Sequence, residues 1–177
     1  MKVIVAGVGK LGSTVAFAVG LINRPEKIML YDIKDLEGDV IDLDNALGRS
    51  VVITDRLEPA DILIIAAGRG RDKEKYKTMD SLVEVNRPMV EDILSKMEPY
   101  VTKETVVIVM TNPVETMTEH VSNLLEGKGV TVVSPEKQLM ELRKGEEVGW
   151  RIVSTKGYSN FGPAVSCAML IEDLAGE

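Results

Sequence analysis

The chain has 177 residues, 45% of them hydrophobic, and carries 28 acidic against 21 basic side chains, for a formal charge of −7. That length suits one domain with a small appendage and is too short for two full domains. The acidic balance argues against a nucleic-acid surface, which needs clustered cations, and leaves small polar metabolites and protein partners.

Cys167 is the only cysteine, so no intramolecular disulfide can form, and a reducing, cytoplasmic setting is expected. Lys2 and the apolar residues after it imitate a signal peptide, but Lys10 interrupts the run. No stretch reaches the ~18 uninterrupted apolar residues of a membrane span. No membrane partner is expected.

In chain order, residues 3–6 read as a first strand and residues 11–22 as its helix, with Gly7-Val8-Gly9-Lys10-Leu11-Gly12 at the junction. Residues 27–31 form a second strand, and Asp32 follows it, twenty residues beyond Gly12. This is the layout of a dinucleotide-binding β-α-β unit. Gly7 permits the tight turn, Gly9 lets backbone approach a pyrophosphate, and Gly12 lets helix and strand pack closely. The free N–H groups of the helix start, around Lys10 and Leu11, suit phosphate oxygens. Asp32 would accept hydrogen bonds from the adenosine ribose and repel a 2′-phosphate, which favours NAD over NADP.

Residues 36–47 make an amphipathic helix with Val40, Leu43 and Leu47 on one face. Residues 51–54 form a short strand and 61–67 (DILIIAA) a fully buried one. A charged loop occupies 68–77, helix spans 78–97, and 106–110 is another β-branched strand. Beyond Val121 the pattern loosens: 130–133 reads as strand, 136–143 as a short helix and 162–174 as a terminal helix, while 145–157 resists assignment. Strand and helix in this rhythm predict an α/β fold with a parallel, doubly wound sheet. Its ligand crevice would lie at the C-terminal ends of the strands, beside the loops 7–12, 68–77 and 111–115.

Several segments together resemble the lactate/malate dehydrogenase family of NAD-dependent 2-hydroxy-acid dehydrogenases. They are VAGVGKLGSTVA, the helix around Asp42-Leu43, ADILIIAAGRGR, the helix of Asn86, TNPVE at 111–115 and KGYSNFGPA at 156–164. The resemblance implies a Rossmann-type NAD-binding domain over residues 1–122, followed by a shortened remnant of a substrate domain over 123–177. It matches Gly7, Gly9, Gly12 and Asp32 to the family's NAD contacts, Ala67 and Gly68 to the segment under the adenine-ribose half, and Asn112 to an asparagine near nicotinamide and substrate. Asn86, Asn112 and Ser159 fall at the substrate pocket. The helix 36–47 matches one used at a dimer interface, so a homo-oligomer is expected.

The catalytic side matches less well. Oxidising a 2-hydroxy acid needs a base for the hydroxyl proton, which the family supplies with a histidine held by an aspartate. The only histidine here is His120, two turns into the helix after TNPVE, where the family carries a packing residue. Aligning 139–143 with the family's Leu-Asp-x-x-Arg element puts Met140 at the aspartate and Arg143 at the carboxylate-binding arginine. In the charged loop Arg71 matches the first substrate-loop arginine, and Met79 falls at the second. Lys73, Lys75 or Lys77 could supply a cation instead, as flexible point charges and not planar forks. Arg71, Arg143 and His120 are therefore the catalytic candidates, and no metal site is expected.

The reading is an NAD(H)-binding relative of enzymes that move hydride between NAD and a small 2-hydroxy or 2-oxo acid, with the family's catalytic residues largely missing. The alternatives are an active dehydrogenase of reduced size using substitute residues, and a non-catalytic NAD-sensing or partner protein.

Overall fold

Strand side chains alternate between the two faces of a sheet, and here both faces are apolar, which requires a covering layer on each side. A computed structural model of the chain, describing residues 1–70, 76, 78–143 and 148–176, shows those layers. The sheet has six parallel strands: β1 (Lys2–Ala6), β2 (Lys27–Tyr31), β3 (Val52–Thr54), β4 (Ile62–Ile65), β5 (Val106–Val109) and β6 (Thr131–Val133). Their spatial order is β3-β2-β1-β4-β5-β6, so the chain reverses direction between β1 and β4. In doubly wound sheets that reversal opens the ligand crevice.

Helices α1 (Lys10–Ile22) and α2 (Glu37–Leu47) cover one face with the terminal helix α7 (Phe161–Gly176), and α3 (Met79–Met97) and α4 (Val114–Leu124) cover the other. Val3, Val5, Ile28, Leu30, Ile62 and Ile64 point into the first core; Ile4, Met29, Leu63, Ile65, Val107 and Val109 point into the second. The two helices α5 (Glu136–Leu142) and α6 (Val148–Lys156) complete the C-terminal part. The segment that resisted assignment from sequence thus contains α6, a helix with no fully buried side chain. The helix is only nine residues long, too short for a helical period to stand out in the sequence. Among the described residues no helix is long and apolar enough to cross a membrane.

The C-terminal part is fastened to α1. Helix α7 packs along α1, and the Asn23 side-chain amide at the end of α1 donates to the Ala168 carbonyl oxygen at 3.0 Å. Cys167 lies fully buried within this packing, and burial pushes its thiol from an ordinary 9.0 up to about 12.

The folded protein therefore holds the thiol proton more tightly than the unfolded chain. This contribution to stability is complete below about pH 9 and is lost as pH rises towards 12. Thermal melts of Cys167→Ala should show a shallower alkaline decline than the unsubstituted chain; parallel profiles would contradict the burial. A thiol reagent should label Cys167 only as the protein unfolds.

Candidate functional site

The three glycines of the motif, Gly7 and Gly9 before α1 and Gly12 within it, do not meet the same surroundings. Gly7 has a φ of +96°, and a Cβ there would lie 2.3 Å from the Ala67 nitrogen. At Gly12 a Cβ would lie 1.8 Å from the Gly7 carbonyl oxygen. Both positions are thus closed by the protein itself. Gly9, which caps α1 in an extended conformation, has nothing within 4 Å of the Cβ position. Open space there, at the start of a helix without acidic residues in its first turn, is a cradle suited to an approaching phosphate.

Asp32, just past β2, binds this loop from below. Its Oδ2 accepts the Val8 N–H at 2.6 Å, and its Oδ1 accepts the Ile33 N–H at 2.7 Å. The Gly7 N–H donates to the Tyr31 carbonyl at 2.8 Å, so β2 fixes both the entry and the middle of the loop. A carboxylate oxygen has two lone-pair directions, which leaves acceptor capacity for a ribose. The neighbouring Lys34 ammonium is turned to Asp39 at 2.6 Å.

Above the loop a cleft of about 1040 Å³ runs along the C-terminal edge of the sheet. Gly9, Lys10 and Leu11 border it from α1; Ala67 and Gly68 from the end of β4; Thr111 and Asn112 from the end of β5. Its far wall comes from the C-terminal part, including Arg143, Tyr158 and Ser159. The cofactor-side residues expected from sequence, apart from the packing glycines and Asp32, therefore meet in one cleft with Asn112, Ser159 and Arg143. Arg71, with Lys73, Lys75 and Lys77, lies outside the described residues.

Side-chain direction places two of the candidate residues outside the cleft. Asn86, placed at the substrate pocket from sequence, does not border the cleft and is fully buried on α3. Its Oδ1 accepts the Arg69 N–H at 2.6 Å, while its Nδ2 donates to the carbonyl oxygens of Arg69 (3.0 Å) and Asn112 (2.6 Å). It ties the β4 and β5 loops together. His120 also lies away from the cleft: it projects from α4 towards α3, its Nε2 at 2.9 Å from Glu91 Oε1. Helix geometry turns it to the neighbouring helix, where a packing residue belongs.

The cleft's chemistry is cationic and short of bases. Among its described lining residues, Lys10, Arg69 and Arg143 are cations, Glu136 is the only carboxylate and none is a histidine. Met79, at the start of α3, lines it with a thioether, whereas Met140 is 73% exposed and does not border it. Sequence reasoning missed Thr111, whose hydroxyl donates to the Ala67 carbonyl at 2.6 Å, and Tyr158, whose ring lies 4.3 Å from the Lys10 Nζ. Tyr158 stood inside a quoted motif beside Ser159, but its pairing with Lys10 is set only by folding.

These residues fit NAD: the open Gly9 cradle would take the pyrophosphate, Asp32 the adenosine ribose, and the Asn112 end of the cleft the nicotinamide. The contrast between glycines makes this testable. Gly7→Ala should destabilise the fold by about 2 kcal/mol or more, because a side chain meets Ala67 at a strained backbone. Gly9→Val should leave the melting temperature unchanged yet weaken NADH by about tenfold or more. Loss of stability at Gly9, or unchanged binding, would contradict the cradle.

Comparison with known proteins agrees with this geometry. The lactate/malate dehydrogenase NAD binding domain model matches residues 1–132. A malate dehydrogenase from Thermoproteus tenax is 33% identical over 124 residues, covering 64% of this chain and 39% of that protein. An L-lactate dehydrogenase from Acetivibrio thermocellus is 34% identical over 125 residues, covering 66% and 38%, and a probable L-lactate dehydrogenase from Schizosaccharomyces pombe is 29% identical over 124 residues, covering 67% and 37%. The chain thus spans about two fifths of the length of the curated relatives it matches. The structure of malate dehydrogenase from Salinibacter ruber superimposes with a TM-score of 0.72 at 20% identity, over 97% of this chain and 75% of that one. With a loop built for a dinucleotide and a family model matched across all six strands but the end of the last, the chain belongs to the lactate/malate dehydrogenase family and its cofactor is NAD.

Proposed function

We propose that this chain binds NAD(H) in the manner of a lactate/malate dehydrogenase but turns over 2-hydroxy and 2-oxo acids slowly or not at all. NAD supplies a hydride acceptor when bound; everything else must come from the protein. The observation that carries the reading is the cleft's makeup. The Gly9 cradle and Asn112 line one cleft and Asp32 is bound to the loop beneath it through Val8, while His120 is held by Glu91 outside the cleft. Loss of a general base alone removes about 10²- to 10⁴-fold in rate. Binding and orientation beside Arg143 and Ser159 leave a residual route, in which Arg143 would hold the carboxylate of a small oxo acid.

In this reading residues 1–122 form the NAD unit, and residues 123–177 form a substrate-domain remnant that lends β6 to the same sheet and packs on α1. Two copies associate through α2, whose Ile41 is 55% exposed, as is Leu21 of α1. The setting is reducing and cytoplasmic, in keeping with a single buried thiol.

Purified protein assayed for NADH oxidation with pyruvate, oxaloacetate and related 2-oxo acids should show little turnover, and His120→Ala should leave that trace unchanged. Brisk oxidation abolished by His120→Ala would overturn the assignment. Asp32→Ala removes both the Val8 clamp and the ribose acceptor and should weaken NADH about tenfold or more; an unchanged titration would contradict the cofactor site. Sedimentation equilibrium should give a dimer, and a monomer at all concentrations would contradict the association.

A further inference from the structure

The first residue of α1, Lys10, borders the cleft immediately after the Gly9 cradle, and its ammonium lies 4.3 Å from the centre of the Tyr158 ring. Lys156 approaches the same ring at 4.5 Å, but does not border the cleft. The Lys156 ammonium in turn donates to Asn160 Oδ1 at 2.7 Å. The Asn160 amide, buried at 7% exposure, donates to Thr14 Oγ1 at 2.9 Å, and the Thr14 hydroxyl donates to the Lys10 carbonyl at 2.7 Å. The segment 156–160 is therefore closed into a ring with the first turn of α1. One path runs through hydrogen bonds and the other through the face of Tyr158.

Lys10 and Lys156 are both attracted to the Tyr158 ring and are repelled by each other. Lys156 is held back by Asn160, so its repulsion acts on Lys10, the partner free at the cleft edge. An anion beside Lys10 would relieve that repulsion, and the pyrophosphate is the anionic part of NAD that the adjoining Gly9 cradle is suited to take.

We propose that Tyr158 is a positioning residue for the cofactor: its ring, fixed through Lys156 and Asn160, holds the Lys10 ammonium against the NAD pyrophosphate. This rests on the NAD site described above and adds that cofactor affinity depends on residues 156–160, beyond the stretch matched by the family model. A lysine at a helix start has many rotamers, and a ring beneath it removes most of those that point away from the cleft.

A double-substitution cycle read by NADH titration tests it, with melting curves confirming that each variant folds. Lys10→Met should weaken NADH about tenfold. Tyr158→Leu should weaken it about threefold or more in the unsubstituted chain and have no further effect in the Lys10→Met background. Tyr158→Phe, which keeps the ring, should bind as the unsubstituted protein does. ADP-ribose should follow the NADH pattern, and adenosine, which lacks phosphate, should be insensitive to both substitutions. An unchanged titration for Tyr158→Leu, an equal loss in both backgrounds, or a parallel loss of adenosine binding would overturn the proposal while leaving the NAD site standing. Failure of the unsubstituted chain to bind NADH would instead refute the cofactor site itself, and this inference with it.

Discussion

The molecule turns on the contact of the glycine loop with the end of β4. Gly7 sits so close to Ala67 that no side chain fits between them, and Gly12 lies equally close to Gly7. That contact brings the starts of α1 and of the β4 loop side by side, and the cleft opens where they diverge. Asp32 reinforces it from β2 through the Val8 N–H, and Asn86 continues it to β5 by bonding the backbone of both Arg69 and Asn112. Close packing and side-chain hydrogen bonds to the backbone thus link four strand ends, those of β2, β1, β4 and β5, and a side chain at the wrong glycine would break the link at the cofactor edge.

The same edge explains how a short chain keeps a dehydrogenase-like cofactor side. The residues proposed to hold NAD follow β1, β2, β4 and β5, all within the stretch matched by the family model. Substrate chemistry draws on the opposite wall, formed here by α5, α6 and the start of α7, with Arg143 and Ser159 but no histidine among the described lining residues. Because α7 packs on α1 and the ring of Tyr158 meets Lys10, this wall nonetheless leans on the cofactor loop. Its described residues border the cleft beside the cofactor loop.

Much of this was legible in the sequence. Strands 3–6, 27–31 and 61–67 are buried on both faces, so their unbroken apolar character marked them, and the glycine spacing with Asp32 fixed the ligand edge. Helix α6 was not legible, since it has only nine residues and buries no side chain fully. The motif also treats its glycines alike, although packing closes Gly7 and Gly12 and leaves Gly9 to the ligand. Asn86 was placed by resemblance, and His120 was a candidate only as the single histidine; neither ground fixes the direction in which a side chain is satisfied. Asn86 turned to backbone and His120 to Glu91. The pairing of Tyr158 with Lys10 joins opposite ends of the chain, and no local pattern announces it.

The central claim is that the NAD site is complete while the chemistry beside it is not. Rapid mixing of the preformed NADH complex with saturating oxaloacetate or pyruvate, followed by NADH fluorescence, tests both halves in a single turnover. Saturable NADH binding and a bound signal that persists long after mixing are expected. An absence of saturable binding, or a rapid loss of the reduced cofactor in that first turnover, would contradict it.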